Sequence, residues 1–269
     1  MNYKIKFAAF DIDGTTLPYA KETFSPKIVE AFKKLHEKGI KIILASGREF
    51  VTIGHLLKSS IYADYFIGAN GAFIYDIKND KIIHEQPIYY KDFEILFEKL
   101  IPHVDSISIM DKDYGHMSKD SVTNTWFLAP HQDKLVELDN SFSKLDRQHL
   151  HLITVVTTNL NAYNLAEDII ENNYLNLQIQ SIWERGLFIA AKGVTKSSAL
   201  KRLMIHEKSS LKYLIAFGDS GNDIEMIRDA GIGVAMQDGD EKLKEYSDFI
   251  APKCDEDGVY LQLEKMGII

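Results

Sequence analysis

The sequence predicts an α/β protein in which a parallel-sheet core, residues 1–84 and 187–269, is interrupted by an inserted α+β domain over 85–186. Three observations carry this. The first 67 residues alternate strand, helix, strand, helix, strand, and the strands are near-continuous apolar runs, as in a parallel sheet covered on both faces. From about Glu85 that rhythm gives way to mixed elements, and after about Leu187 the strand–helix alternation returns.

Taken in order, residues 3–12 read as a buried strand with Ile5, Phe7, Ala8, Ala9 and Phe10 apolar, ending in Asp11-Ile12-Asp13-Gly14. Ser25-Pro26 is an N-cap followed by proline at the first helical position; Ile28, Val29, Phe32 and Leu35 continue at helical spacing until Gly39 stops the helix. Residues 40–45 form a second buried strand, Ser46-Gly47-Arg48 opens a helix with Val51, Ile53, Leu56 and Leu57 as its buried positions, and 65–67 is a third strand. Residues 72–75 and 82–84 read as a hairpin. In the insert, helices are expected over 92–101 and 160–171 and strands over 106–110 and 150–157; the stretch 114–140 shows no clear pattern. The returning core contributes helices over 196–205 and 223–229 and strands over 213–217 and 232–235.

Composition narrows the function. The net charge is −8, from 31 basic and 39 acidic side chains, so broad attraction to nucleic acid or anionic lipid is not expected, and a bound phosphate has to be held by local devices. Cys254 is the single cysteine, which excludes an internal disulfide and fits a reducing compartment, the cytoplasm by default. No run approaches the roughly 20 apolar residues of a membrane span, and 1–5 lacks a signal-peptide core. The expectation is a soluble protein, a monomer or homodimer, acting on a small molecule.

Open parallel sheets bind ligands beyond the carboxyl ends of their strands, so segments placed there converge. Four such segments carry chemistry: Asp11-Ile12-Asp13-Gly14-Thr15, Ser46-Gly47-Arg48, Lys196, and Gly218-Asp219-Ser220-Gly221-Asn222-Asp223. Alone, each has a plain reading: the first as a strand-end turn, Ser46 as an N-cap, Lys196 as a solvated lysine, and Ser220 or Asn222 as a helix cap. Together they crowd carboxylates at one sheet edge, which repel unless a cation neutralises them. Hard oxygen donors without His or Cys point to magnesium rather than zinc. A hydroxyl, an ammonium and turn amides at a helix start are what a phosphate dianion needs around its oxygens.

In this order the segments, with Ala45-Ser46-Gly47-Arg48, Asn70-Gly71-Ala72 and Lys192-Gly193-Val194-Thr195-Lys196, resemble the motifs of the haloacid dehalogenase superfamily of phosphatases. They are most similar to its Cof-type, sugar-phosphatase-like branch with an inserted type IIB cap. The resemblance spans nearly the whole chain, although the cap matches only in size and position. It implies a Rossmann-like core and a magnesium-dependent phosphatase of small phosphate monoesters, such as sugar phosphates. In that scheme Asp11 attacks phosphorus to form a phosphoaspartate; Asp13 protonates the leaving oxygen and then deprotonates the hydrolytic water. Ser46, Lys196 and Asn222 hold phosphate oxygens. Asp11, the backbone carbonyl of Asp13, and Asp219 bind Mg2+, with Asp223 supporting them, and Gly47, Arg48, Asn70 and Arg185 stand as possible substrate contacts. Asp13 has to carry a proton before the first step, which acidic neighbours favour. Three departures stand out: Ser197 where glycine is common, Thr16 where leucine is usual, and Gln237-Asp238-Gly239 in place of Gly-Asn-Ala.

Two further readings remain at this level. A mutase or phosphotransferase would use the same residues, and a non-enzymatic phospho-acceptor module would need neither the insert nor Asp13. In the insert, Tyr114, His116, Trp126, Trp183 and Arg185 are residues able to meet a sugar, though packing or exposure accounts for most such side chains. His149 and His151 alternate on one face before the 150–157 strand. They read as solvent-facing histidines beside inward Leu150 and Leu152, with a metal pair as the lesser alternative.

Overall fold

The computed structural model describes residues 4–139, 141–183 and 185–269, so Tyr3 of the first expected strand, Asn140 and Glu184 lie outside the described residues. The first half of the chain runs β1 (Phe7–Phe10), α1 (Pro26–Glu37), β2 (Lys41–Ala45), α2 (Phe50–Ser59), β3 (Tyr65–Gly68), β4 (Phe73–Asp76), β5 (Lys81–Glu85), α3 (Tyr90–Leu100), β6 (Ser106–Met110), β7 (Gly115–Met117) and β8 (Leu135–Glu137). It continues through β9 (Leu152–Val156), α4 (Ala162–Asn172), β10 (Leu177–Trp183), β11 (Gly186–Ala191), α5 (Lys196–His206), β12 (Leu214–Gly218) and α6 (Ile224–Asp229). The last elements are β13 (Ile232–Met236), α7 (Glu241–Lys244), β14 (Phe249–Ala251) and α8 (Gly258–Lys265).

Two compact units result: Met1–Gly47, His55–His84 and Thr195–Ile269 form one, and Arg48–Gly54 with Glu85–Val194 form the other. The first is built on an eight-stranded sheet ordered β14-β13-β12-β1-β2-β3-β4-β5. The strands from β14 to β3 run parallel, and β4 turns back antiparallel on β3. From β1 the chain steps to β2 on one side, whereas the later half places β12 on the other. The order therefore reverses at the β1/β12 pair, and there the carboxyl ends of neighbouring strands leave a crevice.

Both faces of this sheet are covered. Ala199, Leu200, Leu203 and Met204 of α5 and Met226 and Ile227 of α6 pack on Phe7, Ala9, Ile43, Ala45, Leu214 and Ala216. On the other face Phe10 meets Phe32 of α1 at 5.2 Å and Phe217 at 5.3 Å between ring centroids. Helix α1 forms because Ser25 caps it, its hydroxyl accepting from the Ile28 amide at 3.1 Å, and because Ile28, Phe32 and Leu35 share its buried stripe. Val29, grouped with them by spacing, is exposed, since it falls one position round the helix from the stripe. Helix α2 starts at Phe50 rather than at the Ser46 turn and breaks at Gly54, whose φ of 52° and ψ of −134° only glycine adopts readily. That break is also the last residue of the short segment grouped with the second unit.

The second unit has a six-stranded sheet ordered β10-β11-β9-β6-β7-β8, antiparallel except for the β7/β8 pair. The sequence reading ended the insert at Gly186. In the structure Gly186–Ala191 is β11, hydrogen-bonded on both edges to β10 and β9, so this unit continues to Val194. Strands β10 and β11 were not anticipated, because a run such as Gly186–Ala191 carries only the generic apolar signal that either sheet would bury. The turn after β6 is organised by buried Asp111. Its carboxylate accepts from the amides of Asp113 (2.9 Å), Tyr114 (2.7 Å) and Asp146 (3.1 Å) and pairs with His116 Nε2 at 2.6 Å. His116 is thus a structural partner inside this unit. Asp111→Ala would leave three amides and a buried imidazole without an acceptor and should lower the unfolding free energy by about 2–4 kcal/mol. Urea denaturation of the full chain measures this.

Candidate active site

The strand ends at the reversal point bring together the residues that the sequence separates by up to 212 positions. Asp11 follows β1, and its amide bonds the Phe217 carbonyl of β12 at 3.0 Å. Gly14, at φ 86°, then turns the chain sharply, with its amide on the Leu17 carbonyl at 2.8 Å. A Cβ at Gly14 would lie 2.5 Å from Asp219 Oδ2, so the turn and the β12 loop approach too closely for any other residue. Thr15 donates to Asp219 Oδ1 at 2.9 Å and Tyr19 to Oδ2 at 3.1 Å. Thr16, one of the departures, donates its hydroxyl to the Asp11 carbonyl at 2.8 Å, while Leu17 beside it is fully buried.

Lys196 is the centre of the arrangement. Its ammonium, fully buried, lies 2.5 Å from Asp11 Oδ1 and 2.7 Å from Asp223 Oδ1. It is placed by the start of α5, where the Thr195 side chain accepts from the Ser198 amide. Gly71, at φ 109°, packs so close to the Thr195 carbonyl that a Cβ would sit 2.2 Å away, which accounts for the glycine of Asn70-Gly71-Ala72. Ser197, where a glycine is common in the resembling pattern, donates to Asp229 Oδ2 at 2.7 Å and ties α5 to α6. Asp223 uses its other oxygen to accept from the amides of Asp219 (3.1 Å) and Ser220 (3.2 Å), setting the loop after β12. Gly239 of the divergent Gln237-Asp238-Gly239 segment lies against the backbone of Asp219, with a Cβ position only 2.6 Å from its carbonyl oxygen.

Electrostatics follow from burial. Burial raises the Asp11 pKa well above the usual carboxylate value; Lys196 opposes this, and Asp223 and Asp219 add to it. Asp219 is pushed up to about 6 by burial and then by Asp223, with the Thr15 hydrogen bond pulling the other way. Burial works against the Lys196 charge, but the Asp11 and Asp223 carboxylates outweigh it and hold its pKa above the ordinary value.

Asp11, Asp219 and Asp223 present carboxylate oxygens all within 4.8 Å of one another. Three carboxylates against one ammonium leave two negative charges uncancelled, and every donor is a hard oxygen. The set therefore fits a divalent cation of the oxygen-seeking kind. Asp13, partly exposed, is not a side-chain member of this cluster, and its backbone sits in the turn through a bridge to Leu17. Ser46 is buried at the end of β2, its amide on the Ile67 carbonyl and its carbonyl accepting from Asn70, both at 2.9 Å. Asn222 donates to Asn70 Oδ1 at 2.8 Å, and the Nδ2 of Asn70, buried beside Gly47, has no hydrogen-bond partner among the described residues. That orphaned donor is a signal the sequence could not show.

The remaining expectations fall in the second unit. Arg48 is buried, donates to the Thr52 carbonyl at 2.7 Å and lies over the Phe127 ring at 5.2 Å. Arg185 is exposed in the turn between β10 and β11, while Tyr114, Trp126 and Trp183 are each more than a third exposed. His151 is not solvent-facing. It is 1% exposed because Glu49 and Glu85 bond its two ring nitrogens at 3.2 and 2.6 Å, and these acids outweigh the opposing effect of burial and raise its pKa to about 9. Burial pushes Glu49 up to about 7, and His151 limits the rise.

A doubly wound sheet with a buried lysine among carboxylates at its reversal point is the frame of an enzyme that handles an anionic group. Residues 8–263 match the haloacid dehalogenase-like hydrolase family, and the chain belongs to it. It is similar to the 5-amino-6-(5-phospho-D-ribitylamino)uracil phosphatase of Bacillus subtilis, 28% identical over 263 residues, 95% of this chain and 93% of the relative. It is also 27% identical over 247 residues to the pyridoxal phosphate phosphatase of Escherichia coli, covering 88% and 89% of the two chains. Its fold superposes on that of a subclass IIB sugar phosphatase with a TM-score of 0.82 at 24% identity, covering 98% and 100%. The protein is a phosphatase of this family, with the fold of the subclass IIB structure it superposes on. Among the described residues no helix is long and apolar enough to cross a membrane.

Removing the buried cation should be costly. Lys196→Met should lower the unfolding free energy by about 3–5 kcal/mol, because Asp11 and Asp223 would then be buried without a compensating positive charge. Chemical denaturation in the absence of divalent cations reads this directly.

Proposed function

We propose that the protein is a magnesium-dependent phosphatase of small phosphate monoesters, sugar phosphates and related metabolites among them, working in the cytoplasm through a phosphoaspartate. The observation that carries the reading is the Lys196 ammonium held between Asp11 and Asp223 beside Asp219, a cluster with two negative charges left to balance.

In this mechanism an oxygen of Asp11 attacks phosphorus and the bond from phosphorus to the ester oxygen breaks. Asp13 gives its proton to that departing oxygen. A water then attacks the phosphorus of the phosphoaspartate, Asp13 takes the water's proton, and inorganic phosphate leaves with Asp11 regenerated. Lys196 offsets the repulsion between an anionic carboxylate and an anionic phosphate, and the Ser46 hydroxyl and the Asn222 amide hold phosphate oxygens. Asp11, the Asp13 carbonyl and Asp219, supported by Asp223, are the groups to hold Mg2+, which when bound supplies charge neutralisation for the transferring phosphoryl group. Gly47 and Asn70, beside the cluster in the first unit, are proposed to meet the rest of the substrate. The relatives' named activities make phosphorylated ribitylaminouracil and pyridoxal phosphate reasonable members of a substrate panel with hexose and pentose phosphates.

Phosphate release across that panel should require magnesium, vanish with a chelator and return on adding Mg2+. Asp11→Asn and Asp13→Asn should each fall by about 1,000-fold or more in kcat. Turnover in Asp11→Asn comparable to the unmodified protein would defeat the assignment, and accumulation of an isomerised phosphate ester without inorganic phosphate would mean a mutase. Gly14→Ala, which drives a methyl into Asp219, should reduce kcat and raise the Mg2+ concentration needed for half-maximal rate.

A further inference from the structure

Away from the aspartate cluster, a second group of side chains in the other unit has the make-up of a metal centre. Glu85, His149 and His151 each offer a ligand atom, and these atoms lie within 4.8 Å of one another. One carboxylate oxygen, Glu85 Oε1, receives both rings: His151 Nε2 at 2.6 Å and His149 Nδ1 at 2.8 Å. On its far side His151 presents Nδ1 to Glu49 Oε2 at 3.2 Å. We propose that Glu85, His149 and His151 form a binding site for a borderline transition-metal dication of the zinc class, with Glu49 orienting His151 from behind.

The donor chemistry selects the ion. Two imidazoles and one carboxylate suit zinc-class dications and disfavour magnesium, which takes oxygen donors. Ligands bound at 2.0–2.2 Å around a tetrahedral centre stand roughly 3.3–3.6 Å apart, so the present separations of 2.6 and 2.8 Å need open by about 0.5–1 Å. A carboxylate accepting the second N–H of a metal-binding histidine fixes its tautomer and strengthens the remaining nitrogen as a donor; Glu49 stands in that position. Charge balances as well. The dication cancels Glu49 and Glu85, with both imidazoles neutral; on uptake, the proton on Nε2 of His151 leaves to solvent while the Nδ1 proton stays on the bond to Glu49.

Access and purpose can be read from burial and connectivity. His151 and Glu49 are nearly fully buried, whereas the side chains of His149 and Glu85 are 32% and 19% exposed, so the site has a closed back and an open front. Three protein ligands leave a fourth position for water. Glu49 lies in the Arg48–Gly54 segment and Glu85 is the first residue of Glu85–Val194, so the cluster gathers both places where the chain enters this unit and ties them to the approach to β9. A cation here would act as a cross-link within the unit.

The test needs no turnover. Full-length protein stripped with a chelator and held in excess Mg2+, to occupy the aspartate cluster, is titrated with Co2+ while its visible absorption is followed, and Zn2+ is then added. One equivalent should produce the intense band of four- or five-coordinate cobalt, and Zn2+ should abolish it. His149→Gln and Glu85→Gln, both at the open side and each checked for a native melting transition, should weaken Co2+ binding by about 100-fold or more; Glu49→Gln should weaken it by about 10–100-fold. Asp219→Asn should leave the band in place. Absence of a stoichiometric intense band, or a band that survives both ligand variants, would overturn the proposal and leave His151 as an imidazolium clamped by two carboxylates. A band lost in Asp219→Asn would overturn it too, by placing the cobalt in the aspartate cluster.

Discussion

The first unit depends on one buried ammonium. Lys196 has no exposure, and an isolated charge in such a place would be strongly disfavoured. It is tolerated because Asp11 and Asp223 meet it at hydrogen-bond distance. The same requirement organises what surrounds it. Thr195 caps the helix that carries the lysine, Gly71 lets a neighbouring turn approach that cap, and Asp223 divides its oxygens between the ammonium and two backbone amides. Each of these residue choices has a local reason, and all of them trace back to placing one positive charge at the end of a parallel sheet.

That charge is insufficient by itself. The three carboxylates exceed it, and the Asp11 and Asp219 pKa values are raised first by burial and then by the neighbouring carboxylates. A site of this kind is poised to take up positive charge, and the family to which the chain belongs generally uses a divalent metal. The second unit solves a similar problem in a different way. There, Asp111 is satisfied by amides and His116, and Glu49 and Glu85 are satisfied by histidines, so buried acids are matched by neutral or titratable donors instead of lysine.

Much of the first unit was legible because its elements are strongly punctuated. Ser25-Pro26 marks the start of α1, and the helix expected from Lys196 and the strand expected over 213–217 each lie within a residue of Lys196–His206 and Leu214–Gly218. The second unit was less readable. Gly186–Ala191 looked like the return to the core because an apolar run says only that it will be buried, not in which sheet. His151 looked solvent-facing because alternation assigns a face but not what covers it. Its covering groups, Glu49 and Glu85, lie 102 and 66 residues away.

By itself the sequence determined the order of the core elements, the chemistry available at their ends and the family whose motifs they resemble, since these depend on local spacing and residue type. Tertiary structure decided which acids share a proton or a cation with which base. It placed Lys196 between Asp11 and Asp223, left Asn70 Nδ2 without a hydrogen-bond partner among the described residues, and joined Glu49, Glu85, His149 and His151 into one cluster. Such pairings are set by distances of 2.5–3.2 Å between side chains remote in the chain, and only the packing of sheets and helices fixes distances on that scale.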